Sequence, residues 1–106
     1  MMYSYKNFLI EQIMNKRKNV FYFTTDWCEP CKKVRPIVQD MKKEGFQFQT
    51  VDADYEQFLV KQFEVRSIPT FILLEDGKEI GRITGAKTRE ELENFINYEK
   101  TTQENL

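Results

Sequence analysis

The chain has 106 residues, 41% of them apolar and 31% charged, which suits a single globular domain with one core and is not typical of a disordered protein. Its 16 basic and 17 acidic side chains give a formal net charge of -1 and form no basic stripe, which argues against nucleic acid as a partner. The longest apolar runs, 20–23 and 71–74, are too short to cross a bilayer, and residues 1–18 lack the unbroken apolar stretch of a signal peptide, so we expect a cytoplasmic protein.

The first half of the chain predicts two helices with a buried strand between them. Apolar side chains at helical spacing run from Tyr5 to Ile13, with Ser4 as a candidate N-cap. The bulky, unbroken run at 20–23 is typical of a strand covered on both faces. The second helix should begin near Pro30, because proline suits a first turn. Its buried face should carry Val34, Ile37, Val38 and Met41.

The second half predicts a strand, a short helix, a hairpin and a last helix. Residues 46–51 form the strand, and a capping-box pattern at 54–57 begins the short helix. That helix should bury Phe58, Leu59 and Phe63. Strands at 70–74 and 78–84 flank an Asp-Gly pair that favours a hairpin turn. A second capping box at 88–91 begins the last helix, whose inner face should carry Leu92, Phe95 and Ile96.

This order of elements predicts an α/β protein. Helices on both faces of a mixed sheet are the natural packing for it. No linker, repeat or low-complexity block divides the chain. We therefore expect a single domain spanning 1–106, of which residues 101–106 form a polar tail.

Cys28 and Cys31 are the only cysteines, and they lie between the buried strand and the second helix. Side chains three apart on a helix have Cβ atoms about 5–6 Å apart, so a little tightening reaches the roughly 4 Å of a disulfide. At the helix N-terminus, free N–H groups and the helix dipole favour the thiolate of the first cysteine. The pair therefore indicates a redox-active dithiol.

Two other functions of the pair are less favoured. A purely structural disulfide that closes so short a loop removes little chain entropy from the unfolded state. A zinc site usually needs four Cys or His ligands, and the chain has two cysteines and no histidine.

Three motifs, in this order along the chain, resemble those of the thioredoxin family. Trp-Cys-Glu-Pro-Cys-Lys at 27–32 resembles the family's Trp-Cys-Gly-Pro-Cys-Lys, with Glu29 in place of glycine. Ile-Pro-Thr at 68–70 resembles the family's segment in which the proline is cis and lies against the disulfide. The Asp-Gly turn followed by Thr-Gly-Ala at 84–86 resembles its hairpin turn and groove glycine. The resemblance covers about residues 8–98.

The resemblance implies a thioredoxin fold, in which a mixed central sheet of four strands is flanked by four helices. Residues 1–3 would add a fifth strand at the edge. It also implies that Cys28 attacks a disulfide of a protein substrate and that Cys31 resolves the mixed disulfide. The implied neighbours of this catalytic pair are Trp27, Glu29, Pro30 and Pro69. The implied substrate-binding residues are Trp27, Ile68, Pro69 and Gly85.

Some of these residues also have plain structural interpretations. Trp27 and Ile68 could instead be core side chains, although a platform beside the dithiol and backbone hydrogen bonds to substrate are favoured for them. Gly85 lets a substrate backbone approach or only relieves the end of a strand, and the sequence favours neither.

Two positions depart from the family pattern. The family usually has a buried aspartate in the central strand, where this chain has Tyr22, and an accompanying lysine, where this chain has Thr50. A tyrosine phenol is a poor proton acceptor at pH 7. We therefore do not expect the family's proton-transfer step to run through Tyr22.

We expect a protein-disulfide reductase that needs neither metal nor organic cofactor. Glu29 disfavours the neighbouring thiolate, and this makes the dithiol a stronger reductant. Expected partners are disulfide-containing proteins and an electron donor, either a thioredoxin-reductase-like flavoprotein or a low-molecular-weight thiol; we expect no nucleic-acid or membrane partner and a monomer. The alternatives are a disulfide oxidant or isomerase, and a thioredoxin-fold binding or redox-sensing module with little turnover.

Overall fold

A computed structural model describes the backbone of residues 18–104 and the side chains of residues 18–97. The elements are β1 (Lys18–Thr24), α1 (Glu29–Lys43), β2 (Phe48–Asp52), α2 (Gln57–Gln62), β3 (Thr70–Glu75), β4 (Lys78–Thr84) and α3 (Arg89–Glu104). The helix predicted from Tyr5 to Ile13 and the edge strand at 1–3 lie outside the described residues. All the other predicted elements are confirmed, and α3 continues into the polar segment at 101–106.

The sheet is mixed, with the strand order β2-β1-β3-β4. β1 pairs with β2 in parallel and with β3 in antiparallel orientation, and β3 pairs with β4 through the hairpin. β1 is therefore an inner strand, as its unbroken apolar run predicts. The chain crosses from β1 to the parallel β2 through α1, so one end of β1 leads directly into that helix.

Two apolar clusters cover the two faces of the sheet, because side chains alternate along each strand. The first joins alternate residues of β1 and β3 to the inner faces of α1 and α3; its buried members include Val20, Tyr22, Val34, Val38, Met41, Phe71, Leu73 and Leu92. The second joins the opposite faces of the same strands to α2; its buried members are Phe23, Val51, Ile72 and Leu74. The expected inner faces of α1 and α3 are confirmed.

The start of α2 differs from the prediction. No side chain caps the helix at Glu56, and the capping box expected at 54–57 is wrong. Instead, Asp52 Oδ1 accepts the N–H groups of Asp54 and Tyr55, and Glu56 Oε2 accepts the N–H of Asp52. The reciprocal bonds are therefore made one turn earlier, at the end of β2, where they hold the loop before the helix.

The face of α2 that packs on the sheet is also shifted from the prediction. Leu59 and Phe63 pack against the second cluster, as expected, together with Val60. Phe58 is exposed, so its predicted burial is wrong. A helix of six residues turns less than twice, so with Leu59 and Val60 facing the sheet, Phe58 faces outward.

The hairpin and the start of α3 follow their sequence signals. Asp76 and Gly77 both have positive φ, at 53° and 82°, as a two-residue type I′ turn requires. At α3, Thr88 Oγ1 accepts the N–H of Glu91, and Glu91 Oε1 accepts the N–H of Thr88. The hydrogen bond from the Thr88 backbone lowers the pKa of the Glu91 carboxyl below its ordinary value.

No helix within the described residues is long and apolar enough to cross a membrane.

We expect Thr88→Ala to lower the free energy of unfolding by about 1 kcal/mol, because it removes the side-chain acceptor of the α3 cap. Thr88→Ser keeps the hydroxyl and should stay close to the parent chain. Urea unfolding of the three proteins followed by circular dichroism measures the difference. Equal stability of the Ala and Ser variants would show that this cap contributes nothing.

Candidate active site

The two cysteines lie where β1 passes into α1. β1 ends at Thr24, and α1 begins at Glu29, so the connection is only four residues long. Cys28 is the N-cap of α1 in an extended conformation, and its Sγ lies 3.2 Å from the backbone nitrogen of Cys31, which donates to it. The structure joins Cys28 and Cys31 in a disulfide, with their Cα atoms 5.2 Å apart.

Both cysteines are buried, with Cys28 3% and Cys31 0% exposed, but their neighbours differ. Cys31 lies on the buried face of α1, one turn before Val34. Cys28 lies between two exposed residues, Trp27 and Glu29. As the cap of a 15-residue helix, Cys28 also faces the positive end of the helix dipole, which stabilises a thiolate when the disulfide is reduced.

Trp27 is exposed, so the alternative that it is a core side chain is wrong, and its role as a platform stays a prediction. Its indole Nε1 donates a 2.8 Å hydrogen bond to Asp54 Oδ2. Asp54 was not among the predicted site residues, because the capping-box pattern at 54–57 placed it at the start of α2. An exposed tryptophan and an acidic residue just after the neighbouring parallel strand were the available signals.

Glu29 is exposed and forms an ion pair with Lys32, with a nitrogen–oxygen distance of 2.9 Å. The spacing of three residues along a helix makes this pairing readable from the sequence. Lys32 offsets part of the field of Glu29 at Cys28. The structure therefore weakens the effect of Glu29 that its charge alone predicts.

Arg35 holds the loop that precedes the dithiol. Its Nη2 donates to the carbonyl oxygen of Thr25 at 3.3 Å. The same carbonyl accepts the N–H of Cys28 at 3.5 Å. The loop is therefore fixed to the second turn of α1, and the sequence contained no signal for this contact beyond the presence of a basic side chain.

Pro69 and Gly85 lie at the same end of the sheet as the dithiol. The peptide bond between Ile68 and Pro69 is cis, as the resemblance implies. Pro69 precedes the first residue of β3, which pairs with Phe23 near the end of β1. The N–H of Gly85 donates to the Pro69 carbonyl at 2.8 Å. The structure thus brings these two predicted residues into direct contact.

The structure leaves both the structural and the substrate-binding interpretations open for Ile68 and Gly85. Ile68 is half-buried and packs against the second cluster, so it is a core neighbour as well as a candidate for substrate contact. Gly85 has a φ of 91°, which disfavours any other residue, and a Cβ built there would meet nothing within 4 Å. The space beside Gly85 is therefore open.

Tyr22 and Thr50 occupy the positions where the resemblance led us to look for a carboxylate and a lysine. Tyr22 is buried and stacks on Phe71, with ring centroids 4.9 Å apart. Its hydroxyl donates to the carbonyl oxygen of Cys31 at 3.4 Å. Thr50 is exposed and accepts a hydrogen bond from Lys42. Tyr22 is thus a core residue that touches the backbone of the dithiol helix.

Among the side chains described, no three Cys, Asp or Glu residues come together in a possible metal site.

Comparison with known proteins identifies the relatives of this chain. A family model described as Thioredoxin matches residues 2–98. Thioredoxin H-type 1 of Nicotiana tabacum is 37% identical over 86 residues, which are 79% of this chain and 68% of the relative. Thioredoxin of Chlamydia pneumoniae is 36% identical over 77 residues, which are 71% of this chain and 76% of the relative. The crystal structure of thioredoxin NaTrxh from Nicotiana alata superposes with a TM-score of 0.73 at 32% identity, covering 91% of this chain and 86% of that one.

We expect Tyr22→Phe to cost about 1 kcal/mol or less, because it removes one long hydrogen bond and keeps the ring stacked on Phe71. The pH dependence of alkylation of the reduced cysteines by iodoacetamide should stay unchanged, since the phenol only donates to a carbonyl. Tyr22→Ala, which also removes the ring, should cost about 3–5 kcal/mol. A shifted alkylation profile in Tyr22→Phe would give the phenol a role in thiol ionisation.

Proposed function

The chain belongs to the thioredoxin family and is a thiol-disulfide oxidoreductase, and from this premise we propose that it reduces disulfides of other proteins through Cys28 and Cys31. The observation that carries the proposal is the position of Cys28 as the N-cap of α1, with Cys31 one turn further on. This arrangement pairs a dipole-stabilised thiolate at the start of the helix, next to the exposed Trp27 and Glu29, with a second thiol inside the same helix.

The reaction proceeds by two exchanges. The Cys28 thiolate attacks one sulfur of the substrate disulfide, the other sulfur leaves as a thiolate and takes up a proton, and a mixed disulfide forms. Cys31 then loses its proton and attacks Cys28 Sγ, which releases the second substrate thiol. Two electrons pass to the substrate, and the Cys28–Cys31 disulfide is the oxidised product.

The second exchange needs an acceptor for the Cys31 proton. Tyr22 donates its own hydroxyl proton to the Cys31 carbonyl and is a poor acceptor. The departing substrate thiolate is itself a base, so it can take this proton through solvent. We propose that Cys31 is deprotonated in this way rather than by a buried carboxylate.

The substrate binds at the end of the sheet around the dithiol. We assign Trp27 as an exposed platform and the backbone of Ile68 as the partner of an extended substrate strand, with the cis Pro69 lying beside the dithiol. The open space and positive φ at Gly85 leave room for the substrate backbone beside them. Glu29 and Pro30 are the remaining neighbours of the cysteines and set the charge and geometry of the first turn.

The proposed direction is reduction. No histidine lies between the cysteines to stabilise the thiolate, and Glu29 opposes it. A cytoplasmic setting, where thiols stay reduced, fits this direction. The partners would be disulfide-containing proteins and a donor that recharges the site, either a thioredoxin-reductase-like flavoprotein or a low-molecular-weight thiol, and the chain would act as a monomer without metal or organic cofactor.

The two cysteine variants test the order of the exchanges. Cys28→Ser should abolish the reduction of insulin disulfides in the presence of dithiothreitol, because it removes the attacking sulfur. Cys31→Ser keeps that sulfur and should accumulate a mixed disulfide with insulin, which mass spectrometry without reductant detects. Turnover that survives in Cys28→Ser would refute the assignment. Low turnover in the unchanged chain would favour a binding or redox-sensing module.

The reduction potential tests the direction. Equilibration with dithiothreitol should give a value near about -270 mV, whereas a value above roughly -200 mV would favour an oxidant or isomerase. Glu29→His should make it less negative by roughly 10–20 mV, because exposed charge pairs are worth at most about 1 kcal/mol. Glu90→His is the matched control, because it makes the same change of charge away from the dithiol. Its neighbour Arg89 pairs with Glu44, which follows the opposite end of α1 from the cysteines. An equal shift in both variants would show that Glu29 has no particular effect on the reduction potential of the dithiol.

A further inference from the structure

Three large apolar side chains are exposed within residues 18–97, and all three are aromatic. Trp27 is 66% exposed, Tyr55 is 85% exposed and Phe58 is 67% exposed. The first belongs to the dithiol motif, and the other two lie in the turn after β2 and on α2. Exposed apolar side chains that gather on one part of a surface mark binding sites more often than scattered ones do.

A direct contact connects the dithiol to this second segment. The indole of Trp27 donates to Asp54, the residue immediately before Tyr55. Phe58 follows three residues after Tyr55, in the first turn of α2. The exposed aromatic side chains therefore continue from the residue beside Cys28 across the turn to the outer side of α2.

The turn that carries Tyr55 is held in place before any partner binds. Asp52 accepts the N–H of Tyr55 through both its side chain and its carbonyl oxygen, and Glu56 reaches back to the N–H of Asp52. On α2, Leu59 and Val60 pack inward and leave Phe58 outward. A surface that is already ordered loses little conformational entropy when it binds.

We propose that Trp27, Tyr55 and Phe58 form one aromatic surface that binds an apolar stretch of the protein substrate next to the disulfide that Cys28 attacks. The proposal rests on the proposed function and deepens it: Tyr55 and Phe58 select substrates with apolar residues near the reactive cysteine. A protein substrate is the expected occupant, because the surface continues from Trp27, and Trp27 lies beside the sulfur that a substrate disulfide must approach.

Acidic side chains at Asp26, Glu29 and Asp54 lie along the surface, so the preference for an apolar partner rests on the rings rather than on charge. The Asp54 carboxylate already accepts the indole N–H of Trp27. Lys61 lies one turn after Phe58 on the same side of α2 and opposes a cationic segment. Aromatic rings supply large contact areas at a low cost in side-chain entropy, which suits varied apolar side chains.

The test uses three disulfide-linked peptides that differ only in the residues flanking the cysteine: Leu and Phe, Ser, or Lys. Second-order rate constants are measured for reduced protein mixed with each oxidised peptide and, as an internal control, with the small disulfide 5,5′-dithiobis(2-nitrobenzoate). The variants are Tyr55→Ser with Phe58→Ser, and Gln39→Ser, at an exposed polar residue on the outer side of α1, as the matched control.

We expect the unchanged chain and Gln39→Ser to reduce the Leu and Phe peptide about tenfold faster than the Ser peptide. The double variant should lose this preference and react normally with the small disulfide. Should the double variant fail to fold, Tyr55→Ser alone, at the most exposed of the three rings, makes the same comparison and should reduce the preference.

Four outcomes would overturn the proposal: no apolar preference in the unchanged chain, a preference that survives in the double variant, a faster reaction with the Lys peptide, or an equal loss of reactivity of the double variant with the small disulfide. Sedimentation that shows a dimer abolished by the double variant would instead assign the surface to a second copy of this chain. Failure of the proposed function is distinguishable, since the unchanged chain would then reduce none of the peptides.

Discussion

The hydrogen bond from the Cys31 N–H to Cys28 Sγ is the interaction on which the rest of the site depends. A helix N-terminus normally needs a side-chain oxygen to accept one of its free N–H groups, and here a sulfur takes that place. The first cysteine is thus held by the helix that it caps. The same hydrogen bond therefore serves both the structure and the reactivity of the site. It satisfies a free N–H at the helix end, and it stabilises negative charge on the Cys28 sulfur.

The position of that cap is a consequence of the sheet. β1 is an inner strand, so its end is fixed from both sides by β2 and β3. β3 runs antiparallel to β1, and β4 runs antiparallel to β3. The start of β3 and the end of β4 therefore lie beside the end of β1, at one end of the sheet. Pro69 and Gly85, distant in sequence from the cysteines, lie at that end for this reason. The parallel β2 brings Asp54 to the same end, where it accepts the indole of Trp27.

Sequence reasoning succeeded where a residue's position follows from a periodic pattern or a local motif. The inner strand predicted from the unbroken apolar run at 20–23, the inner faces of α1 and α3, the cap at Thr88 and the Asp-Gly turn are of this kind. It failed at α2, because six residues hold too few apolar positions for the period to distinguish Phe58 from its neighbours. The partner of Trp27 was missed for another reason: that contact joins residues 27 apart, which no local pattern encodes.

The burial of Tyr22 explains why the distinctive features of this chain lie on its surface. A carboxylate at that position would be enclosed by apolar neighbours, and burial of an unpaired charge is costly. The stacked ring of Tyr22 on Phe71 fills the same space without that cost. Within the described residues, the first cluster then supplies packing and a hydrogen bond to the dithiol helix, but no carboxylate. Charge at the dithiol therefore comes from the helix end and from the exposed Glu29–Lys32 pair, and the exposed indole beside it is held by Asp54.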